Sequence, residues 1–119
     1  MKDTMSDKDK IMDNLLQEFK RGTLVLSVLL NSAEPGYGYS LVHKLQENGV
    51  DIEQNTLYPL LRRLEKQGLL ESTWDTSESR PRKYYKISSL GEDVLKALKE
   101  EWKRMNDVVN KMISSEESK

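Results

Sequence analysis

Leucines at positions 57, 60, 61 and 64 constrain this chain more than any other feature. Their spacing of i, i+3, i+4 and i+7 puts all four on one side of a helix, and Gly68 supplies the stop. Projection at about 100° per residue leaves Asn55, Tyr58, Pro59, Arg62 and Lys66 on the opposite side, flanked by Thr56 and Arg63. Thr56 is the expected N-cap. Pro59 then falls in the first turn, where its missing N–H has no partner to lose.

The segments around this helix follow the same logic. Met1 to Lys8 is polar and is expected to be flexible, since little in it offsets the entropy of ordering it. Ile11, Leu15 and Phe19 form a helical stripe, and the run from Leu24 to Leu30 is apolar on nearly every side. One long helix is predicted over 9–31, its second half buried all round. Pro35, Gly36 and Gly38 mark 32–38 as a turn. A short helix follows over 39–48, with Leu41, Val42 and Leu45 inward and Gly49 placed for the left-handed conformation that ends helices.

Beyond Gly68, residues 69–75 and 82–88 alternate around a polar loop at 76–81, which reads as a hairpin with a basic tip. Tyr84 and Tyr85 must point to opposite faces, one to the core and the other to the surface or a phosphate. Ser89 with Glu92 is the capping box of a last helix over about 90–113. Along it Leu95, Leu98, Trp102, Met105, Val109 and Met112 form a heptad seam, too short to be stable without a partner surface.

The expected fold is therefore mainly α with a small β-hairpin wing: a winged helix-turn-helix plus a long C-terminal dimerisation helix. Its divisions are a flexible N-terminus (1–8), the winged domain (9–88), and the C-terminal helix with a short polar tail (89–119).

Composition removes several function classes. There are no cysteines and one histidine, which leaves neither a disulfide framework nor enough soft ligands for a metal. No apolar run reaches the roughly 18 residues of a membrane span, and the charged stretch 1–10 lacks the apolar block of a signal peptide, so a cytoplasmic protein is expected. His43 reads as a surface residue. No Ser/His/Asp set, glycine-rich phosphate loop or carboxylate pair can be assembled, so neither an enzyme nor a cofactor is expected.

The net charge of -1 does not announce a nucleic-acid binder, but its distribution does. Residues 55–88 hold seven bases and four acids, a local excess of +3. Two short helices followed by a basic hairpin make the winged form of helix-turn-helix, whose second helix enters the major groove. Arg62 suits guanine or a phosphate, Asn55 an adenine edge or a phosphate, and Thr56 and Tyr58 phosphate oxygens near the helix start. Arg80, Arg82 and Lys83, stiffened by Pro81, suit the backbone or minor groove. A winged-helix module that binds protein instead of DNA is the rival reading, favoured by the acidic net charge.

The residues also resemble a known family, the PadR-type transcriptional regulators. The resemblance runs from Arg21 to the end and is carried by Arg21-Gly22-Thr23-Leu24, Tyr37-Gly38-Tyr39, the segment 56–65 with Gly68-Leu69-Leu70, and Arg80-Pro81-Arg82-Lys83-Tyr84-Tyr85 leading to Ser88 and Gly91. Asn55 and Ser88 depart from the glycine and threonine usual there.

The resemblance implies a homodimeric repressor on an approximately palindromic double-stranded operator. The short C-terminal region is similar to the subfamily whose last helix packs on the partner subunit, some of whose members release DNA on binding small aromatic compounds. The DNA-binding set expected is Tyr39, Asn55, Thr56, Tyr58, Pro59, Arg62, Arg63, Lys66, Arg80, Arg82 and Lys83. The expected dimer interface is Leu15, Phe19, Leu95, Leu98, Trp102, Met105, Val109 and Met112. Trp102 is either an aromatic anchor of that interface or, with Leu15, Phe19, Leu98 and Met105, the wall of a pocket for a flat apolar effector.

Overall fold

The apolar spacings fold into four helices and one small sheet. The computed structural model describes residues 6–118, so the flexibility expected of residues 1–5 lies outside the described residues; residues 7 and 8 are already helical. Helix α1 spans Asp7–Leu30, with Ser6 Oγ accepting from the Asp9 N–H at 3.1 Å. Then come β1 (Gly36–Tyr37), α2 (Gly38–Glu47), α3 (Gln54–Lys66), β2 (Leu70–Asp75), β3 (Arg82–Ile87) and α4 (Ser89–Glu117).

The leucine stripe of α3 builds the core. Leu57, Leu60, Leu61 and Leu64 are buried against Val28 and Leu29 of α1, Leu41, Val42 and Leu45 of α2, and Leu70, Tyr85 and Ile87 of the sheet. Each leucine fully removed from water in this way contributes about 1.5–3 kcal/mol. Gly49 and Gly68 adopt positive φ at the ends of α2 and α3, as their places after those helices require.

Four local expectations change. The turn at 32–38 contains β1, which pairs with β3 at Gly36↔Tyr85 and Tyr37↔Tyr84, giving a three-stranded sheet in the order β1-β3-β2. Helix α3 begins one turn earlier than Thr56: Glu53 is the N-cap, and it makes no side-chain cap bond. Pro59 therefore lies inside the helix, beyond its first turn, and denies the Asn55 carbonyl its usual donor. Ser88, not Ser89, caps α4. Its Oγ accepts from the Gly91 N–H at 2.9 Å and donates to the Gly68 carbonyl at 2.6 Å, which ties the start of α4 to the end of α3.

Finally, the apolar half of α1 is not buried all round. Val28 and Leu29 are enclosed, but Leu30 is half exposed, and the first half of the helix stands clear with Ile11, Met12, Leu15, Leu16 and Phe19 in the open. Helix α4 packs against α1, and its second half likewise exposes apolar side chains.

Candidate nucleic-acid interface

The three elements that the sequence marks for DNA meet at one crevice of about 450 Å³. Tyr39 comes from the first turn of α2, Tyr58 and Arg62 from α3, and Arg80, Arg82 and Lys83 from the wing. The topology explains the opening. β1 is only two residues long and covers β3 at Tyr84 and Tyr85 alone, so the β1 side of β3 is unpaired at Arg82 and Lys83. Backbone, cations and aromatic hydroxyls thus converge where the sheet runs out.

Tyr58 is half-buried against α2, and only glycine at position 38 permits this. A Cβ there would stand 2.4 Å from a Tyr58 ring carbon. Asn55, Thr56, Pro59, Arg62, Arg63 and Lys66 are exposed along α3, as the helical projection requires. The structure separates them: Arg62 joins the wing at the crevice, whereas Thr56 lines a second groove, of about 680 Å³, beside Lys20 and Arg21 of α1.

The two central cations of the wing are treated in opposite ways. Lys83 Nζ lies 3.0 Å from Glu65 Oε1, and Glu65 also accepts from the Ser72 hydroxyl. The Ser72 hydrogen bond and the lysine hold the Glu65 carboxyl below its ordinary range, and the same ion pair raises the Lys83 ammonium. Lys83 therefore ties the wing to α3 as well as lining the crevice. Arg82 has no acidic partner among the described residues; its guanidinium rests over the Tyr37 ring, 5.0 Å from the centroid.

A cluster that the sequence reading did not find lies beneath Arg82. Tyr37 stacks on Tyr84 with centroids 4.4 Å apart, and their hydroxyls meet at 2.8 Å. Both hydroxyls contact Asp75 Oδ2, at 3.0 Å from Tyr37 and 3.3 Å from Tyr84. Asp75 Oδ1 accepts from the Ser77 hydroxyl at 2.7 Å and the Ser77 N–H at 3.0 Å. These donors, Ser77 foremost, hold the Asp75 carboxyl down at about 2, while the bond to Tyr84 raises the Tyr37 phenol. Of the adjacent tyrosines, Tyr85 is the core residue, and Tyr84 is half-buried in this cluster. Tyr37 and Tyr84 stand 47 residues apart, so no local pattern links them.

The residues expected at a subunit interface also divide. Leu95 and Leu98 pack against the core of their own chain. Leu15, Phe19, Trp102, Met105, Val109 and Met112 are open to solvent, with Phe19 72% exposed and Trp102 42%. Among the described residues no group of three or more histidine and carboxylate side chains is placed to hold a metal, and no helix is long and apolar enough to cross a membrane.

Residues 25–97 match the PadR-like family of transcriptional regulators. The fold is similar to the crystal structure of a PadR family transcriptional regulator from Eggerthella lenta, at 48% identity and a TM-score of 0.83, covering 89% of this chain and 95% of the other. It is also similar to a PadR-like transcriptional regulator from Bacillus cereus, at 32% identity and a TM-score of 0.73, covering 81% and 96%. Transcriptional regulator Rv3488 of Mycobacterium tuberculosis is 33% identical over 81 residues, which are 67% of this chain and 76% of that protein.

Proposed function

The chain belongs to the PadR-like family of transcriptional regulators, and from that premise we propose that it binds duplex DNA as a homodimer and represses transcription in the cytoplasm. It is a transcriptional regulator and not an enzyme. The crevice carries the DNA reading: three elements bring Arg62, Arg80 and Arg82 together beside two tyrosines, and none of these arginines has an acidic partner among the described residues. A backbone phosphate seated there would receive charge-assisted hydrogen bonds from helix and wing together, fixing the register of α3 in the groove. Arg62, on the exposed face of α3, and Asn55, one turn from its start, are then the residues aimed at base edges.

Two copies related by a two-fold axis would place their recognition helices in successive major grooves, about 34 Å apart. The test is selection from a random duplex library at near-physiological salt. Enrichment of an approximate palindrome with half-sites one turn apart is the expected result. No enrichment even at low salt would remove the DNA reading in favour of a winged module that binds protein.

Exposure of Trp102 beside Met105 supports a second reading, a flat aromatic effector that enters between the subunits and releases the DNA. Planar aromatic compounds should then quench tryptophan emission in the native chain and lose that effect in Trp102→Ala, where Trp74 remains as reporter. Equal quenching in both proteins would exclude the site.

A further inference from the structure

We propose that the hydroxyls of Tyr37 and Tyr84 act as positioning groups that keep the Asp75 carboxylate away from Arg82, leaving the Arg82 guanidinium free for a DNA phosphate. The proposal rests on the DNA-binding reading above and assigns a role to residues that make no DNA contact themselves.

The register of the wing creates the problem that this arrangement solves. Asp75 is the direct cross-strand partner of Arg82, the last pair before the tip loop. Opposite charges so placed ordinarily attract, and an arginine held by its own carboxylate is a poor ligand for phosphate. No ion pair joins them among the described residues. Both oxygens of Asp75 are occupied instead, Oδ1 by Ser77 and Oδ2 by the two tyrosines.

Two hydroxyl protons serve three oxygen contacts here, so Tyr37 and Tyr84 share the duty of satisfying Oδ2. The Tyr37 ring, fixed by its stack on Tyr84, carries Arg82 on the crevice. The same cluster therefore withholds the competing anion and supplies the shelf for the cation. Glu78 in the tip loop favours the charged form of Arg82 without forming an ion pair with it.

The experiment compares four proteins on the operator recovered by selection, across a series of salt concentrations: the native chain, Arg82→Ala, Tyr37→Phe/Tyr84→Phe, and that double variant with Asp75→Asn added. Phenylalanine preserves the ring stack and removes only the hydroxyls. Oδ2 is then free to pair with Arg82, so the double variant should lose on the order of tenfold in affinity, with the salt slope reduced by about one, as in Arg82→Ala. Adding Asp75→Asn removes the competing charge and should restore both affinity and slope.

A purely structural role for the tyrosines would not be reversed by a further substitution, so a loss that Asp75→Asn does not repair overturns the proposal. So does a double variant that binds like the native chain. The single Tyr84→Phe, which leaves the Tyr37 bond to Asp75 in place, should fall between the native chain and the double variant; a loss in it as large as in Arg82→Ala also overturns the proposal. Failure of the native chain to bind any duplex would be a failure of the DNA reading itself.

Discussion

At the scale of single residues, charge type predicts function less well than charge partnership. Arg82 and Lys83 are neighbours in the wing, yet one has no acidic partner among the described residues and the other is bonded to Glu65. Arg82→Ala should therefore lower the slope of log affinity against log salt by about one, the signature of a lost phosphate contact. Lys83→Ala should lower it by less, and should instead destabilise the fold by about 0.2–1 kcal/mol, as loss of a partly exposed ion pair does. Parallel titrations of both variants at several salt concentrations, with urea unfolding, decide the matter. Equal slopes for the two variants would return Lys83 to the phosphate ligands.

Acid should act on the same wing through Asp75. Its carboxyl is held down at about 2 in the folded chain, below the ordinary value of 3.8, so its stabilising contribution is complete above about pH 4 and disappears as pH falls towards 2. Trp74, exposed on β2 beside Asp75, should report that loosening by fluorescence in a Trp102→Phe background. The change between pH 4 and 2 should be absent once Asp75→Asn is added.

Among the secondary-structure elements, glycines decide how closely the pieces approach. A Cβ at Gly91 would stand 2.1 Å from the Leu69 carbonyl oxygen and 2.7 Å from an Ile87 side-chain carbon, and backbone cannot move aside as a side chain can. Gly91→Ala should cost on the order of 1–3 kcal/mol, measured by urea or thermal unfolding. At Gly38 the obstacle is the Tyr58 ring, so Gly38→Ala should shift that ring in the crevice and weaken DNA binding more than it weakens the fold.

Neither contact is visible in the sequence, which explains what was and was not legible. Helices follow from local periodicity: the leucines of α3, the inward residues of α2 and the glycine stops were all readable from spacing alone. So was the basic character of α3 and the wing. β1 escaped because a two-residue strand exists only through its pairing with β3, nearly fifty residues away. The N-cap of α3 escaped because Glu53 takes the capping backbone conformation without the side-chain bond that makes Ser or Thr recognisable. The Asp75, Tyr37 and Tyr84 cluster escaped for the same reason as β1, its members being joined only by the sheet register.

At the scale of the whole molecule, a single copy leaves too much apolar surface in water. The chain measures 61 × 46 × 23 Å, and the first half of α1 and the second half of α4 account for most of the exposed large apolar side chains. Five of them lie between Ile11 and Phe19 and six between Trp102 and Ile113. Contiguous exposed surface of this kind marks an interface, and a second copy offers both stripes in matching form.

The chain should therefore sediment as a dimer at micromolar concentration. Val109→Asp, which places a charge in the α4 stripe far from the core of its own chain, should yield a folded monomer. Helix α3 has 13 residues, so one copy reads only a half-site, and the monomer should lose well over a hundredfold in operator affinity because the second half-site is no longer bound intramolecularly. Its weak binding to random duplex should persist, since the crevice is complete within one chain. A Val109→Asp protein that is monomeric yet binds the full operator as tightly as the native chain would show that these stripes serve some partner other than a second copy, and that one winged domain suffices for recognition.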